Sequence, residues 1–260
     1  MGGIQMKPFN RYFDHTLLKA DATNAQFLKL FSEAAQHDFA AVCVNGCHVR
    51  SARRFFNACG RAYNAETDEG VRVATVIGFP LGAMATNAKA YEAQLAIDDG
   101  ADEIDMVMNI GAARDGNWAY IEDEIYAIGE MCHEDGVVLK VIIETCLLSD
   151  DEIVEACLSA AAAGADFVKT STGFASPAEC SFNATVGHGG ATAHAVGLMR
   201  RTVDDYYDTL DEDEKANRKP CQVKASGGIR ALKDAREMID AGADRLGCSA
   251  SVQILEEAEK

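Results

Sequence analysis

The stretch AGADFVKTSTGF, residues 163–174, places a lysine where a packed strand ordinarily has an apolar side chain. Gly164 is typical of a residue that ends a helix, residues 166–168 are predicted to form a short buried strand, and a polar loop follows. Lys169 is therefore predicted at the C-terminal end of a strand. Enclosure by protein disfavours an ammonium and favours the neutral, nucleophilic amine that forms Schiff bases. The alternative is a lysine that extends from the strand end into solvent.

The rest of the chain repeats this alternation of a short apolar run and a helical pattern. Continuous apolar runs are typical of parallel strands that are buried on both faces. Two capping boxes, Thr23 with Gln26 and Ser149 with Glu152, predict helix starts. A Gly-rich segment at 186–190 follows the sixth strand. The eight predicted strands are 13–18, 39–45, 72–80, 102–109, 137–145, 166–168, 221–226 and 244–248.

Eight strand–helix alternations in 260 residues predict the α/β class, as a single (β/α)8 TIM barrel that forms one domain over residues 1–260. The tripeptide Gly-Ala-Asp at 100–102, 164–166 and 242–244 joins a helix to a strand each time. This repeat predicts a structural turn, so Asp102 receives no catalytic role. The acidic stretch 202–219 is predicted to be a solvated surface extension of the domain.

Charge and cysteine content exclude several classes of protein. Acidic residues outnumber basic ones by 41 to 24, which argues against a nucleic-acid-binding surface. No apolar run approaches a membrane span, and the N-terminus lacks a signal peptide's hydrophobic region. The nine cysteines are scattered and predict reduced thiols in a cytoplasmic protein. Cys43 and Cys47, with His48, lack a second pair of ligands, so no metal site is expected.

Three ionisable residues stand near the C-terminal ends of apolar strands, where the active site of such a barrel lies. They are Asp105, Lys169 and Lys224. The alternative to a functional site is a buried salt bridge, but two lysines and one carboxylate would leave a charge unpaired. Lys140 is either the structural partner of a carboxylate or a participant in the site. Other ionisable residues near strand ends are Asp14 and Glu144.

The turns after the seventh and eighth strands indicate a phosphate site. Segments 226–230 and 247–251 are rich in glycine and serine, and each leads into a helix. Exposed backbone amides and the positive end of a helix dipole attract anions, and these two loops commonly bind phosphate in this fold. We expect the amides of Gly227 and Gly228 and the side chain of Ser249 to bind it. The alternative is that the glycines only form tight turns.

Seven motifs span nearly the whole chain, namely FDHTLLKADAT from residue 13, AVCVN from 41, ATVIGFP from 74, DEIDMV from 102, FVKTSTGF from 167, VKASGGIR from 223 and RLGCS from 245. Together they resemble the deoxyribose-phosphate aldolase family of class I aldolases. The resemblance implies a lyase that reversibly cleaves 2-deoxy-D-ribose 5-phosphate to D-glyceraldehyde 3-phosphate and acetaldehyde, without a metal or an organic cofactor. It implies that Lys169 forms the Schiff base, that Asp105 exchanges protons and that Lys224 is the second catalytic lysine.

The resemblance also extends to binding residues and partners. The residues then expected to bind the substrate or its phosphate are Asp14, Thr16, Cys43, Thr170, Gly227, Gly228 and Ser249. Expected partners are small phosphorylated sugars and aldehydes, with neither nucleic acid nor membrane, and the chain is a candidate homodimer. Gly46 replaces a proline common in the family, and the 202–219 connection is longer than usual. Two alternatives remain, namely another Schiff-base sugar-phosphate aldolase and a non-catalytic sugar-phosphate-binding barrel.

Overall fold

Eight parallel strands close into a barrel in chain order, which confirms the predicted (β/α)8 fold. The structure is a computed structural model that describes residues 7–176, 178, 180 and 189–260, so residues 186–188 of the Gly-rich segment lie outside it. Seven strands fall inside their predicted segments, and the sixth is shifted by one residue. The strands are β1 Phe13–Leu17, β2 Ala41–Val44, β3 Arg72–Ile77, β4 Glu103–Val107, β5 Val138–Ile142, β6 Phe167–Lys169, β7 Gln222–Ser226 and β8 Arg245–Cys248.

Helices surround the barrel. Both predicted capping boxes are present, with the Thr23 amide donating to Gln26 at 2.8 Å and the Ser149 amide to Glu152 at 2.7 Å. Across the described ranges, none of the helices combines the length and the apolar character needed to cross a bilayer. The helices are α1 Asn24–His37, α2 Val49–Ala58, α3 Thr86–Asp98, α4 Ile110–Arg114, α5 Trp118–Glu134, α6 Asp150–Ala162, α7 Ala193–Thr209, α8 Glu212–Asn217, α9 Leu232–Asp240 and α10 Ser251–Ala258.

The barrel interior is divided into an apolar part and an ionic part. Because side chains alternate along a strand, every second residue of each strand faces inward. On β2 and β3 the inward residues form a small apolar cluster of Ala41, Cys43, Ala74 and Val76. The inward positions of β4 to β8 and β1 instead carry buried charges. The outward residues of all strands pack with the helices in one large hydrophobic core.

Each copy of the Gly-Ala-Asp repeat forms a turn that leads into β4, β6 or β8 and attaches that strand to the strand before it. In Gly164 and Gly242 the backbone is left-handed, with φ of 90° and 108°, which ends the helix at little steric cost. The aspartate then bonds the preceding strand with its side chain. Asp102 accepts from the Val73 amide at 2.7 Å, Asp166 from the Leu139 amide at 2.9 Å and Asp244 from the Val223 amide at 2.8 Å. The predicted structural role is therefore present at the N-terminal end of the barrel, away from Lys169.

The structure corrects the predicted surface extension at 202–219. Residues 202–209 continue α7, and Thr202 and Val203 are buried. The acidic composition did not predict this part of the helix, because the polar residues of the helix occupy its outer face and only a few apolar residues face the barrel. Only the following connection, which contains the short helix α8 with no buried residue, is the solvated extension that the composition predicts.

We expect Asp166→Ala to lower the free energy of unfolding by about 1–3 kcal/mol, because the buried Leu139 amide loses its acceptor. Asp166→Asn is the matched control, since it keeps an oxygen that can accept this bond. Urea denaturation of the three proteins measures the difference. Equal stability of Asp166→Ala and the wild type would contradict the proposed role of the turn.

Candidate active site

Asp105, in the middle of β4, is the centre of the charged part of the barrel. Its side chain is fully buried and accepts hydrogen bonds from three lysines. Its Oδ2 atom lies 2.7 Å from Nζ of Lys169 and 2.7 Å from Nζ of Lys224. Its Oδ1 atom lies 2.8 Å from Nζ of Lys140. The three residues singled out from the sequence therefore meet at one carboxylate, and Lys140 joins them.

The register of the parallel strands brings these side chains together. Asp105 is the register partner of Lys140 across β4 and β5, and Lys169 is the register partner of Lys224 across β6 and β7. Neighbouring strands of a sheet lie about 4.8 Å apart, so these register partners project side by side into the interior. Closure of the barrel then brings the two pairs face to face.

A second set of charges lies below this carboxylate, toward the N-terminal ends of the strands. Arg245 on β8 donates through Nε to Asp14 Oδ1 at 2.7 Å and through Nη1 to Glu103 Oε1 at 3.2 Å. Lys224 also forms an ion pair with Asp14. Lys140 donates to Glu103 Oε2 at 2.6 Å. Lys140 and Lys224 therefore connect the two sets into one network.

The network contains one more cation than carboxylate. Three buried carboxylates face four buried cations, and each carboxylate contacts at least two of these cations. At the lower rim Arg72 approaches Glu103 to 3.5 Å, but it also forms an ion pair with Asp68. Buried charge is costly unless it is compensated. Three carboxylates therefore disfavour a positive charge on all four basic side chains at once. Lys169 shares the Oδ2 atom of Asp105 with Lys224.

The network fixes the ionisation of its other members. Burial alone would raise the pKa of Asp105, but Lys140, Lys169 and Lys224 hold it well below its ordinary value. Burial alone would lower the pKa of Lys224, but Asp105 and then Asp14 outweigh burial and raise it above its ordinary value. The carboxyl pKa of Asp14 is likewise lowered, since Arg245 and Lys224 outweigh its burial. Asp105 is thus an anion and Lys224 a cation near neutral pH.

Lys169 differs from the other buried lysines of the network because it borders an open cavity. This cavity has a volume of about 290 Å³ and lies at the C-terminal end of the barrel. Thr16, Gly227, Gly228 and Ser249 line it together with Lys169. A larger cavity of about 600 Å³ lies at the opposite end, where Arg245 and Arg72 border it. We place the candidate active site in the smaller cavity, since active sites of this fold lie at the C-terminal ends of the strands.

Part of the lining of this cavity has the features of an anion site. The backbones of Gly227 and Gly228 are left-handed, with φ of 82° and 80°, in the loop that follows β7. Ser249 is exposed and lies two residues before the start of α10. Two exposed cations, Lys19 and Arg230, also line the cavity. Glycine amides, a helix start and nearby cations are the donors that bind phosphate in proteins with a negative overall field.

Comparison with known proteins identifies the family. A family model described as DeoC/LacD family aldolase matches residues 10–253. The chain belongs to this family of aldolases. It is 44% identical to the deoxyribose-phosphate aldolase of Finegoldia magna over 95% of this chain and 98% of that protein, and 46% identical to that of Lactococcus lactis over 95% of each. The solved tetrameric deoxyribose phosphate aldolase of Aeropyrum pernix is 28% identical, with a TM-score of 0.78 over 97% of this chain and 91% of that one.

Three residues of this aldolase that we expected to bind substrate lie outside the cavity lining. Asp14 is buried in the ionic network. Thr170 is buried, and its hydroxyl donates to the Ser226 carbonyl at 3.1 Å and accepts from the Ser226 amide at 3.0 Å. Cys43 is buried in β2, where burial and then the Asp105 charge raise the pKa of its thiol. Their binding roles stay predictions, and in this structure each is a neighbour of the residues that line the site.

Cys43, Cys47 and His48, which are close in sequence, do not form a cluster in the structure. Cys43 is buried in the barrel, whereas Cys47 is exposed. The His48 ring stacks on Phe27 with ring centroids 3.7 Å apart. In the described part of the chain, no group of three or more histidine, cysteine or acidic side chains is placed to hold a metal ion.

Sequence reasoning missed two members of the network, Arg245 and Glu103. Arg245 lies in the motif RLGCS and Glu103 in the motif DEIDMV, each within a short apolar strand. The available signal was the same one that identified Lys169, namely an ionisable residue in a short apolar strand. Residues i and i+2 of a strand face the same side, so an inward Asp105 predicts that Glu103 also faces the barrel interior. Lys140, which the sequence left open between partner and participant, is placed as the partner of Glu103 and Asp105.

The lowered carboxyl pKa values make the fold sensitive to acid. Because the folded pKa values of Asp14, Glu103 and Asp105 lie below their unfolded ones, the stability that they contribute is present above the unfolded pKa of about 4 and is lost as the pH falls toward the folded values. Asp105→Asn lacks one of these groups. We expect the difference in unfolding free energy between the wild type and Asp105→Asn to become smaller as the pH falls from about 7 to about 3. Urea denaturation across this range measures it, and a constant deficit would contradict the assignment.

Proposed function

We propose that this aldolase reversibly cleaves 2-deoxy-D-ribose 5-phosphate to D-glyceraldehyde 3-phosphate and acetaldehyde through a Schiff base on Lys169. The observation that carries the proposal is the position of Lys169, whose Nζ contacts the central carboxylate while its side chain borders the cavity. The names of the curated relatives support the substrate. A Schiff-base lysine must be both reachable and held, and Lys169 meets both conditions.

The reaction follows from the chemistry of an iminium. The neutral amine of Lys169 adds to the aldehyde carbon of the open-chain sugar, and loss of water from the carbinolamine gives the iminium. The C3 hydroxyl then loses its proton, the C2–C3 bond breaks, and its electron pair moves into the iminium to give an enamine and glyceraldehyde 3-phosphate. Protonation of the enamine at C2 and hydrolysis of the resulting iminium release acetaldehyde and restore the lysine.

Asp105 and Lys224 have different tasks in this proposal. Asp105 is the base and acid that exchanges protons with the carbinolamine and the C3 hydroxyl, through a water molecule, since the carboxylate is buried beneath Lys169. Lys224 remains an ammonium because Asp105 and Asp14 stabilise its charge. Its charge balances the shared Asp105 oxygen, so that Lys169 need not carry a proton.

The phosphate of the substrate would occupy the other end of the cavity. The amides of Gly227 and Gly228 and the hydroxyl of Ser249 are proposed donors, and Lys19 and Arg230 supply positive charge at the rim. Thr16 lines the same cavity, and its hydroxyl donates to the Asp14 carbonyl at 2.8 Å. A site with the nucleophile at one end and anion donors at the other orients a sugar phosphate by both ends.

We also propose a cytoplasmic location and a homo-oligomeric state. All nine cysteines are free thiols and seven of them are buried, which suits a reducing compartment. The homodimer expected from the sequence stays a prediction, and the Aeropyrum pernix relative is a tetramer. Light scattering coupled to size-exclusion chromatography distinguishes these states.

Borohydride reduction in the presence of acetaldehyde should trap a two-carbon adduct on Lys169, because this amine alone among the network lysines borders the cavity. Lys169→Met should abolish trapping at every pH. Lys224→Met leaves the Asp105 oxygen to Lys169 alone, which favours the Lys169 ammonium, so trapping should fall about tenfold or more near neutral pH and recover in part as the pH rises. Peptide mass mapping identifies the labelled residue, and label on Lys140 or Lys224 would overturn the assignment.

Gly228→Asp should raise KM for the phosphorylated substrate by about tenfold or more, since it places a negative charge in the proposed anion site. Gly228→Asn is the matched control, because it has a similar shape and the same backbone strain at φ of 80°. The difference between the two variants reports the charge effect. Steady-state kinetics with deoxyribose 5-phosphate and with deoxyribose measure it, and equal losses for both sugars would contradict the phosphate assignment.

A further inference from the structure

Glu144 has a backbone conformation that is unfavourable for its residue type. It lies just beyond the C-terminal end of β5, with φ of 54° and ψ of 63°, in the left-handed region. A side chain with a Cβ atom is disfavoured there, and residues held in such conformations cluster at functional sites. Glu144 is also 2% exposed, so its carboxyl group is directed into the protein rather than into solvent.

The carboxyl group of Glu144 holds Thr172, in the loop beyond Lys169, through Oε2, while its Oε1 atom accepts from the Cys146 thiol at 3.8 Å. Its Oε2 atom accepts the backbone N–H of Thr172 at 3.1 Å and also the hydroxyl of Thr172. The same hydroxyl oxygen accepts the backbone N–H of Phe174 at 3.0 Å. One buried carboxyl group therefore fixes, directly or through one hydroxyl, the backbone at two positions of this loop.

Backbone hydrogen bonds on both sides of Glu144 align it with the end of β6. The Ile143 amide donates to the Lys169 carbonyl at 3.0 Å, and the Thr145 amide donates to the Thr170 carbonyl at 2.8 Å. Glu144 is thus held beside Lys169, the proposed nucleophile, and beside the loop that follows Lys169. With its backbone held in this left-handed conformation, Glu144 reaches Thr172 with its carboxyl group.

The loop that Glu144 holds forms one wall of the cavity. Thr172, Gly173 and Phe174 line it beside Lys169, and the Phe174 ring packs edge-on against Phe79 at 5.1 Å. The loop also contacts the proposed anion site, since the Ser226 hydroxyl donates to the Ser171 carbonyl at 2.6 Å. A shift of this loop would therefore change the distance between the wall and the phosphate donors.

We propose that Glu144 is a positioning residue of the aldolase site, which sets the wall of the cavity through Thr172 and so places the sugar phosphate against Lys169. Glu144 itself does not line the cavity, so it acts through the loop and not on the substrate. This inference rests on the proposed function, because it assigns the wall a role in binding the phosphorylated sugar. Acetaldehyde is too small to need that wall, so its reaction with Lys169 should depend little on Glu144.

The test compares Glu144→Ala with Glu144→Gln. Glu144→Ala should raise KM for deoxyribose 5-phosphate about tenfold or more, because small misplacements of bound substrate are costly, while borohydride trapping of acetaldehyde on Lys169 stays within about threefold of the wild type. Glu144→Gln keeps an oxygen that can accept from Thr172 and should keep KM within about threefold. Thr172→Val combined with Glu144→Ala should add little further loss, because both remove the same contact.

Two controls separate positioning from stability. Glu144→Gly removes the carboxyl group but relieves the left-handed backbone, so it should melt at a higher temperature than Glu144→Ala while sharing its raised KM. Asp166→Ala removes a carboxyl group that holds a backbone amide at the opposite end of the barrel, and it should lower the melting temperature without changing KM.

The outcomes also separate this inference from the proposed function. If the wild type traps acetaldehyde on Lys169 but Glu144→Ala has a wild-type KM, the positioning role is wrong and the aldolase assignment stands. If Glu144→Ala loses trapping and binding to the same extent, Glu144 supports the whole site and not the wall alone, which also overturns the inference. If the wild type itself does not trap acetaldehyde, the proposed function fails first.

Discussion

The structure depends on the balance of charge around the Asp105 carboxylate inside the barrel. A buried carboxylate is tolerated only with partners, and here Lys140, Lys169 and Lys224 all donate to it. Such a network is not in itself a source of stability, because apolar residues of the same volume would serve the fold as well. Its value is chemical, since it holds one lysine at the edge of a cavity next to a carboxylate and a permanent cation.

The fold separates the elements that hold the barrel from the elements that carry out chemistry. At the N-terminal ends of the strands, the Gly-Ala-Asp turns bond strand to strand with glycine backbones suited to the left-handed conformation. At the C-terminal ends, Glu144 adopts the same conformation with a side chain that disfavours it. The first arrangement favours stability, and the second accepts strain at the site, as is common where function requires a particular side chain.

The barrel interior also has two parts with different roles. Beside the ionic network, small apolar residues of β2 and β3 such as Ala74 fill the interior without polar groups that need partners. Charges therefore cluster on β4 to β8 and β1, on the side where β6 and β7 meet. Because low polarity strengthens electrostatic interactions, the apolar part on β2 and β3 increases the effect of the charge balance in the ionic part.

The sequence by itself determined the alternation of strands and helices, the barrel and the three residues Asp105, Lys169 and Lys224. These follow from local patterns: continuous apolar runs, capping boxes, and charges placed where a strand should be apolar. The acidic end of α7 was misassigned because composition outweighed two buried residues, Thr202 and Val203, on its inner face.

Only the tertiary structure decided how the charges are shared and which of them reach the substrate cavity. Arg245 and Glu103 complete the network from opposite sides of the barrel, 142 positions apart in the chain, so no local pattern joins them. Thr170 stays a predicted binding residue, and the polar sequence of its loop did not show that its hydroxyl bonds the backbone of Ser226. Strand register and barrel closure set these distances, and both depend on contacts between residues far apart in sequence, which is why the sequence identified the groups but not their arrangement.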